Sequence, residues 1–183
     1  MTDKIMCNEN IILIGPSGIG KTTVASYISQ FYGFSHLDTD LLIQDAANMN
    51  ISEIFNIYGE EYFRKLENKV VEGIANKSRL VISTGGGIVL NNNNVKLLKQ
   101  DGIIFLLDGK VETIIRNLRK SKGKRPLVGN EDNWIQNVKR MYLDRFMLYK
   151  SPAEYTINVD CKDVEEISKE ILYIYEKHLS CSN

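Results

Sequence analysis

The sequence predicts an α/β fold in which five parallel strands form a central sheet flanked by helices, a three-layer arrangement, in one domain spanning residues 1–183. Three observations carry that expectation. Apolar runs such as Asn10-Ile11-Ile12-Leu13-Ile14 and Ile103-Ile104-Phe105-Leu106-Leu107 lack a polar face, as strands covered on both sides require. These runs alternate with stretches of helical periodicity, which implies βαβ units. With 183 residues, 43% hydrophobic and 25% charged, the chain is long enough for one core and is neither disordered, collagen-like nor a coiled coil.

In chain order, the first strand is Asn10 to Ile14, stopped by Gly15. A helix is expected from Lys21 to Phe31 and a short strand from Phe34 to Leu37. Asp38-Thr39-Asp40 follows at that strand's carboxyl end, ahead of a helical stretch from Leu41 to Ala47. Helical spacing recurs at Ser52 to Tyr58 and at Glu60 to Ala75, with Gly59 between them. Arg79-Leu80-Val81-Ile82-Ser83 reads as the third strand, and Asn91 to Asn94 as a turn and helix cap. Ile103 to Leu107 is the fourth strand, followed by a helix at Val111 to Leu118. The interval from Lys120 to Asn130 has neither period, is dense in positive charge, and reads as a mobile surface loop. A helix at Asn133 to Tyr149, a strand at Thr156 to Val159 and a helix at Val164 to His178 complete the pattern.

Charge narrows the function. The 23 Lys and Arg balance 23 Asp and Glu, so no global field draws the chain to nucleic acid or an anionic membrane, and any bound anion must be gripped locally. The apolar runs are too short to span a bilayer. The opening MTDKIMCNEN lacks the apolar stretch of a secretory signal, so cytoplasmic residence is expected. Cys7, Cys161 and Cys181 are odd in number and widely spaced, which suits reduced thiols better than a metal or redox site.

Gly15-Pro16-Ser17-Gly18-Ile19-Gly20-Lys21-Thr22 matches GxxxxGK[ST] directly after a buried strand and at the opening of a helix. Glycines let the backbone wrap an anion with N–H groups inward, and the helix N-terminus adds partial positive charge. Lys21 can reach β- and γ-phosphates, and Thr22 offers a hydroxyl to Mg²⁺. The phosphate acceptor must come from elsewhere in the chain. Asp38 and Asp40 lie where an open parallel sheet binds ligands, although Asp40 could equally cap the helix after it. Arg64 and Glu60, four apart, could be a surface ion pair. Gly85-Gly86-Gly87 after a strand favours backbone brought against a ligand. Five of the seven arginines, Arg116, Arg119, Arg125, Arg140 and Arg145, fall between 116 and 145, a local choice of the planar cation that suits carboxylate or phosphate.

Together GPSGIGKTT, HLDTDLLI, SEIFNIYGEEYFRKLE, ISTGGGIVL, KRPLV and DRFMLYKSPAEY resemble shikimate kinase, of the nucleoside-monophosphate-kinase branch of P-loop proteins, from about Ile11 to about Val159. The resemblance implies strand order 2-3-1-4-5, a lid at about 120–130 and an acceptor-binding region at about 38–67. It implies ATP-dependent phosphorylation of the 3-hydroxyl of shikimate in aromatic amino acid biosynthesis, by a cytoplasmic monomer that uses Mg²⁺. ATP would be held by Gly18, Ile19, Gly20, Lys21, Thr22 and Thr23, with Arg119 and Lys162 near the adenine and Arg125 closing from the lid. Thr22 and Asp38 would stand at the metal. Asp40, Arg64, Gly85, Gly86, Gly87 and Arg145 would bind shikimate, and Lys21, Asp40 and Arg125 would carry the chemistry. The alternatives are a kinase of another hydroxylated metabolite such as gluconate, or a nucleotide-binding regulator without catalysis. Three departures stand out: Asn48-Met49-Asn50 lacks a glycine often found in the family, the lid between Arg119 and Arg125 is short, and Lys162-Asp163 replaces Arg or Asn followed by Pro.

Overall fold

Strands β1 (Asn10–Ile14), β2 (Ser35–Asp38), β3 (Leu80–Ser83), β4 (Gly102–Asp108) and β5 (Tyr155–Asn158) form one sheet in the order β2-β3-β1-β4-β5. Every neighbouring pair is parallel. The computed structural model describes residues 9–120 and 133–181. Most of the expected lid segment, residues 121–132 with Arg125, therefore lies outside the described residues, as does Cys7.

The side-chain period of two divides each central strand between two cores. Ile11, Leu13, Val81, Ile103, Phe105 and Leu107 face one side. There they meet α1 (Lys21–Tyr32), α5 (Val111–Lys120) and α7 (Val164–Cys181) through Val24, Ile28, Ile114, Ile171 and Tyr175. Ile12, Ile14, Ile82, Ile104 and Leu106 face the other side. They pack on α3 (Ile51–Ile74), α4 (Asn92–Gln100) and α6 (Trp134–Lys150) through Val71, Ile74, Leu98 and Tyr149. Burying each of these large side chains favours folding by roughly 1.5–3 kcal/mol, which explains why uninterrupted apolar runs mark the strands. Ile43 of α2 (Thr39–Ala47), with Ile54 and Phe63 of α3, forms a third, smaller core.

The expected strands and helices are present with ends shifted by at most three residues. Two elements were not anticipated as such: a short 3₁₀ turn at Ile88–Leu90 and the helix α4, whose N-cap Asn91 accepts from the Asn93 amide. Gly59 (φ 79°, ψ 177°) kinks α3 between the two expected helical stretches. Within the segment Asn48-Met49-Asn50, Asn48 ends α2 in the left-handed region at φ 50°, which asparagine tolerates better than most residues. Asn50 then opens α3 with a capping box to Glu53. Among the described residues no helix is long and apolar enough to cross a membrane, and Cys161 and Cys181 are exposed free thiols.

Candidate active site

The carboxyl ends of β1, β2 and β3 carry the site. Beyond β1, the glycine loop hands over to α1 at Gly20, which adopts φ 110°. The Lys21 ammonium donates to the carbonyls of Gly15 at 2.7 Å and Pro16 at 2.9 Å, so the cation lies folded against the loop. Thr22, next on α1, donates from Oγ1 to Oδ2 of Asp38 at 2.8 Å.

The structure separates the roles of the two aspartates. Asp38, not Asp40, caps α2: its Oδ1 accepts from the amides of Asp40 at 2.9 Å and Leu41 at 3.2 Å. Its Oδ2 accepts from Thr22 and from Ser83 Oγ at 2.7 Å. Asp40 sits in the first turn of α2 and lines the adjoining cavity. His36, two residues before Asp38 on the same face of β2, contacts Ser83 Oγ at 2.8 Å. Burial pushes the His36 imidazole below its ordinary value, against the pull of the Asp38 carboxylate.

A cavity of about 640 Å³ opens beside this cluster, and Asp40, Arg64, Gly86, Arg145 and Tyr149 are among its walls. Arg64 on α3 donates from Nη1 to both oxygens of Glu67, at 3.1 and 2.9 Å, and from Nη2 to Glu60 at 3.0 Å. The Glu60 pair read from the sequence is thus present, while the guanidinium also faces the cavity. Glu67 is 1% exposed. Burial pushes its carboxyl above the ordinary value, against the pull of Arg64.

Each glycine of the triple run clears one neighbour. A Cβ on Gly85 would overlap Asp40 Oδ1, one on Gly86 would stand 2.6 Å from Ser17 Oγ, and one on Gly87 would stand 2.5 Å from Arg64 Nη2. Gly87 has φ −106°, which any residue adopts, so space and not backbone freedom demands glycine there. From α6, Tyr149 donates its hydroxyl to the Gly86 carbonyl, which Arg145 Nη1 also approaches at 3.4 Å.

A second cavity of about 350 Å³ follows the glycine loop and continues past Thr113, Arg116, Asn117 and Lys162. Asn117 donates to the Gly18 carbonyl at 2.9 Å, tying α5 to the loop. The Asp160 carboxylate accepts from Thr113 and from the Lys110 amide, and the Thr113 hydrogen bond in particular holds its carboxyl below the ordinary range. Arg119, expected beside the adenine, lies over the Trp134 ring at 5.6 Å. Arg116, one turn earlier on α5, lines the cavity. Lys162 also lines it and pairs with Glu170.

Of the expected residues, Gly18 to Thr23 and Lys162 line the second cavity, and Arg64, Gly85, Gly87, Arg145 and Asp38 line the first. Ser17, Thr22, Asp40 and Gly86 line both. Sequence reasoning missed Glu67, Tyr149 and Arg116 as contributors. Glu67 and Tyr149 sat inside the quoted motifs, and helical spacing from Arg64 and Arg145 could have found both; Arg116, one turn from Arg119, left no such signal.

The shikimate kinase family model matches residues 17–176. A shikimate kinase of Caldanaerobacter subterraneus subsp. tengcongensis is 41% identical over 169 residues, covering 92% of this chain and 97% of that protein. One of Thermoanaerobacter pseudethanolicus is 38% identical over 167 residues, covering 91% and 96%. Among solved structures, shikimate kinase from Acinetobacter baumannii in complex with shikimate superposes with a TM-score of 0.87 at 33% identity, covering 93% of this chain and 94% of that one. The match takes in the glycine loop, both aspartates, Arg64, the triple glycine and Arg145: the chain belongs to the shikimate kinase family.

Proposed function

We propose that the protein transfers the γ-phosphoryl group of ATP to the 3-hydroxyl of shikimate, releasing ADP and shikimate 3-phosphate. The observation that carries this reading is the junction of the two cavities along Ser17, Thr22, Asp40 and Gly86. One cavity follows a phosphate-binding loop; the other offers guanidinium groups at Arg64 and Arg145 and a carboxylate at Asp40. A small acid with several hydroxyls matches that set, with its carboxylate on the arginines and hydroxyls on Asp40.

Phosphoryl transfer asks mainly for positioning and charge neutralisation. In this reading Lys21 neutralises the transferring phosphate, and Asp40 orients the attacking hydroxyl and accepts its proton. Arg125, outside the described residues, is assigned to the phosphate by its motif alone. Thr22 and Asp38 offer two hard oxygen donors 2.8 Å apart, a set that fits Mg²⁺, which takes few protein ligands when phosphates supply the rest. Mg²⁺ bound there would supply charge neutralisation to the ATP phosphates. Arg119 and Lys162 are the adenine-side residues of this reading, with Arg116 lining the same cavity as Lys162. Phosphorus NMR of the product tests it: a monoester at the 3-position of shikimate is expected, and a phosphate on another hydroxyl, or inorganic phosphate alone, would refute it.

A further inference from the structure

Two pairs of side chains interlock beside the glycine loop. On α1, Thr22 and Ser26 are four apart and share a face. On β2, His36 and Asp38 are two apart and share a face, and the strand register sets Ser83 of β3 directly opposite Asp38. The contacts run unbroken from one end to the other: Ser26 Oγ to His36 Nδ1 at 3.3 Å, His36 Nε2 to Ser83 Oγ at 2.8 Å, Ser83 Oγ to Asp38 Oδ2 at 2.7 Å, and Thr22 Oγ1 to the same oxygen at 2.8 Å.

The direction of these bonds follows from the chemistry. An ionised carboxylate only accepts, so Ser83, 1% exposed, must give its single hydroxyl hydrogen to Asp38. Its oxygen then accepts from His36, which must carry a hydrogen on Nε2. Nδ1 is left as the acceptor for Ser26. One histidine tautomer thereby fixes a serine rotor, which fixes one carboxylate oxygen.

We propose that His36 and Ser83 are positioning residues that hold the Asp38 carboxylate in register with Thr22 for the divalent cation that accompanies ATP, a reading that rests on Asp38 standing at that cation. Without the serine donor, the side-chain hydrogen bond left to Oδ2 among the described residues is that from Thr22, a group that must itself turn toward the cation. His36 and Ser83 touch neither Arg64, Arg145 nor the acceptor cavity, whereas Asp38 lines that cavity and caps the helix that carries Asp40, so only the His36 and Ser83 variants separate the cation from shikimate.

The test titrates Mg²⁺ at saturating ATP and shikimate for the unmutated protein and for Asp38→Asn, Ser83→Ala, His36→Leu and His36→Gln. The half-saturating Mg²⁺ concentration should rise about 10-fold or more in Asp38→Asn, Ser83→Ala and His36→Leu, the range seen when outer-shell partners of metal ligands are removed. It should return toward the unmutated value in His36→Gln, whose amide can donate from a similar place, and KM for shikimate should hold in the Ser83 and His36 variants. A second readout needs neither metal nor nucleotide: ¹⁵N-resolved spectra of the unmutated protein should contain a His36 Nε2–H signal protected from exchange with water, lost in Ser83→Ala. An unchanged Mg²⁺ requirement in Ser83→Ala alongside a raised one in Asp38→Asn would overturn the proposal and spare Asp38. An unchanged requirement in Asp38→Asn would overturn both. An Nδ1–H tautomer would overturn the proposed chain even if a variant failed to fold.

Discussion

The guanidinium of Arg64 occupies the space that a side chain on Gly87 would need: a Cβ built there stands 2.5 Å from Nη2 and 2.6 Å from Nη1. The third glycine therefore protects the position of an arginine on another element. Gly87→Ala should push the guanidinium off its seat while leaving an allowed backbone. KM for shikimate should rise about 10-fold, the worth of one charge-assisted hydrogen bond. Steady-state kinetics paired with thermal unfolding check this; a large loss of stability with KM unchanged would place the glycine's role in folding.

Glu67 gives a pH signature. Its folded-state value lies above the ordinary 4.5 because burial outweighs Arg64, so the folded chain holds that proton more tightly than the unfolded one. The stabilisation is complete below the unfolded value and is lost as pH rises through the folded value. Glu67→Gln does not titrate. The melting temperature of Glu67→Gln minus that of the unmutated protein should therefore grow as pH rises from about 4 and level off once Glu67 is ionised in both states. A difference that shrinks with rising pH would mean that Arg64, not burial, dominates.

How far the sequence could be read depended on which physical signal each feature left. The strands were legible because two-sided burial erases the polar face, as in Ile103 to Leu107, and the α3 kink because Gly59 interrupts a helical period. The helix α4 was only half visible: Asn91 announced a cap, but Asn92, Asn93 and Asn94 hid the apolar spacing of Val95 and Leu98. At the site, Lys21 and Thr22 were fixed by adjacency in a motif. The division between Asp38 and Asp40 was not, because Asp40 could equally have capped the helix, and only the amides of Asp40 and Leu41 donating to Asp38 Oδ1 decide it. Arg116 and Arg119 are equally helical and equally charged, and the packing of Trp134 under Arg119 has no local mark in the sequence.

Asn94 on α4 is fully buried, and among the described residues neither its side-chain oxygen nor its nitrogen has a hydrogen-bond partner. A buried amide without partners costs about 1–3 kcal/mol. Asn94→Leu, of similar shape, should thus raise the unfolding free energy by about 1 kcal/mol or more, and the melting temperature by about 2–4 °C for each kcal/mol in a chain of this size. Urea and thermal unfolding measure it, and a loss of stability would show that the amide is satisfied.

The most direct measurement of the central claim is ADP release from Mg²⁺ and ATP with shikimate, with gluconate, and with no acceptor, for the unmutated protein and for Lys21→Ala. Shikimate should raise release far above the acceptor-free rate while gluconate leaves it near that rate. Removing the Lys21 charge should lower the shikimate-dependent rate by about 10²-fold or more with the fold intact. Release that ignores shikimate, follows gluconate instead, or survives Lys21→Ala unchanged would contradict the account.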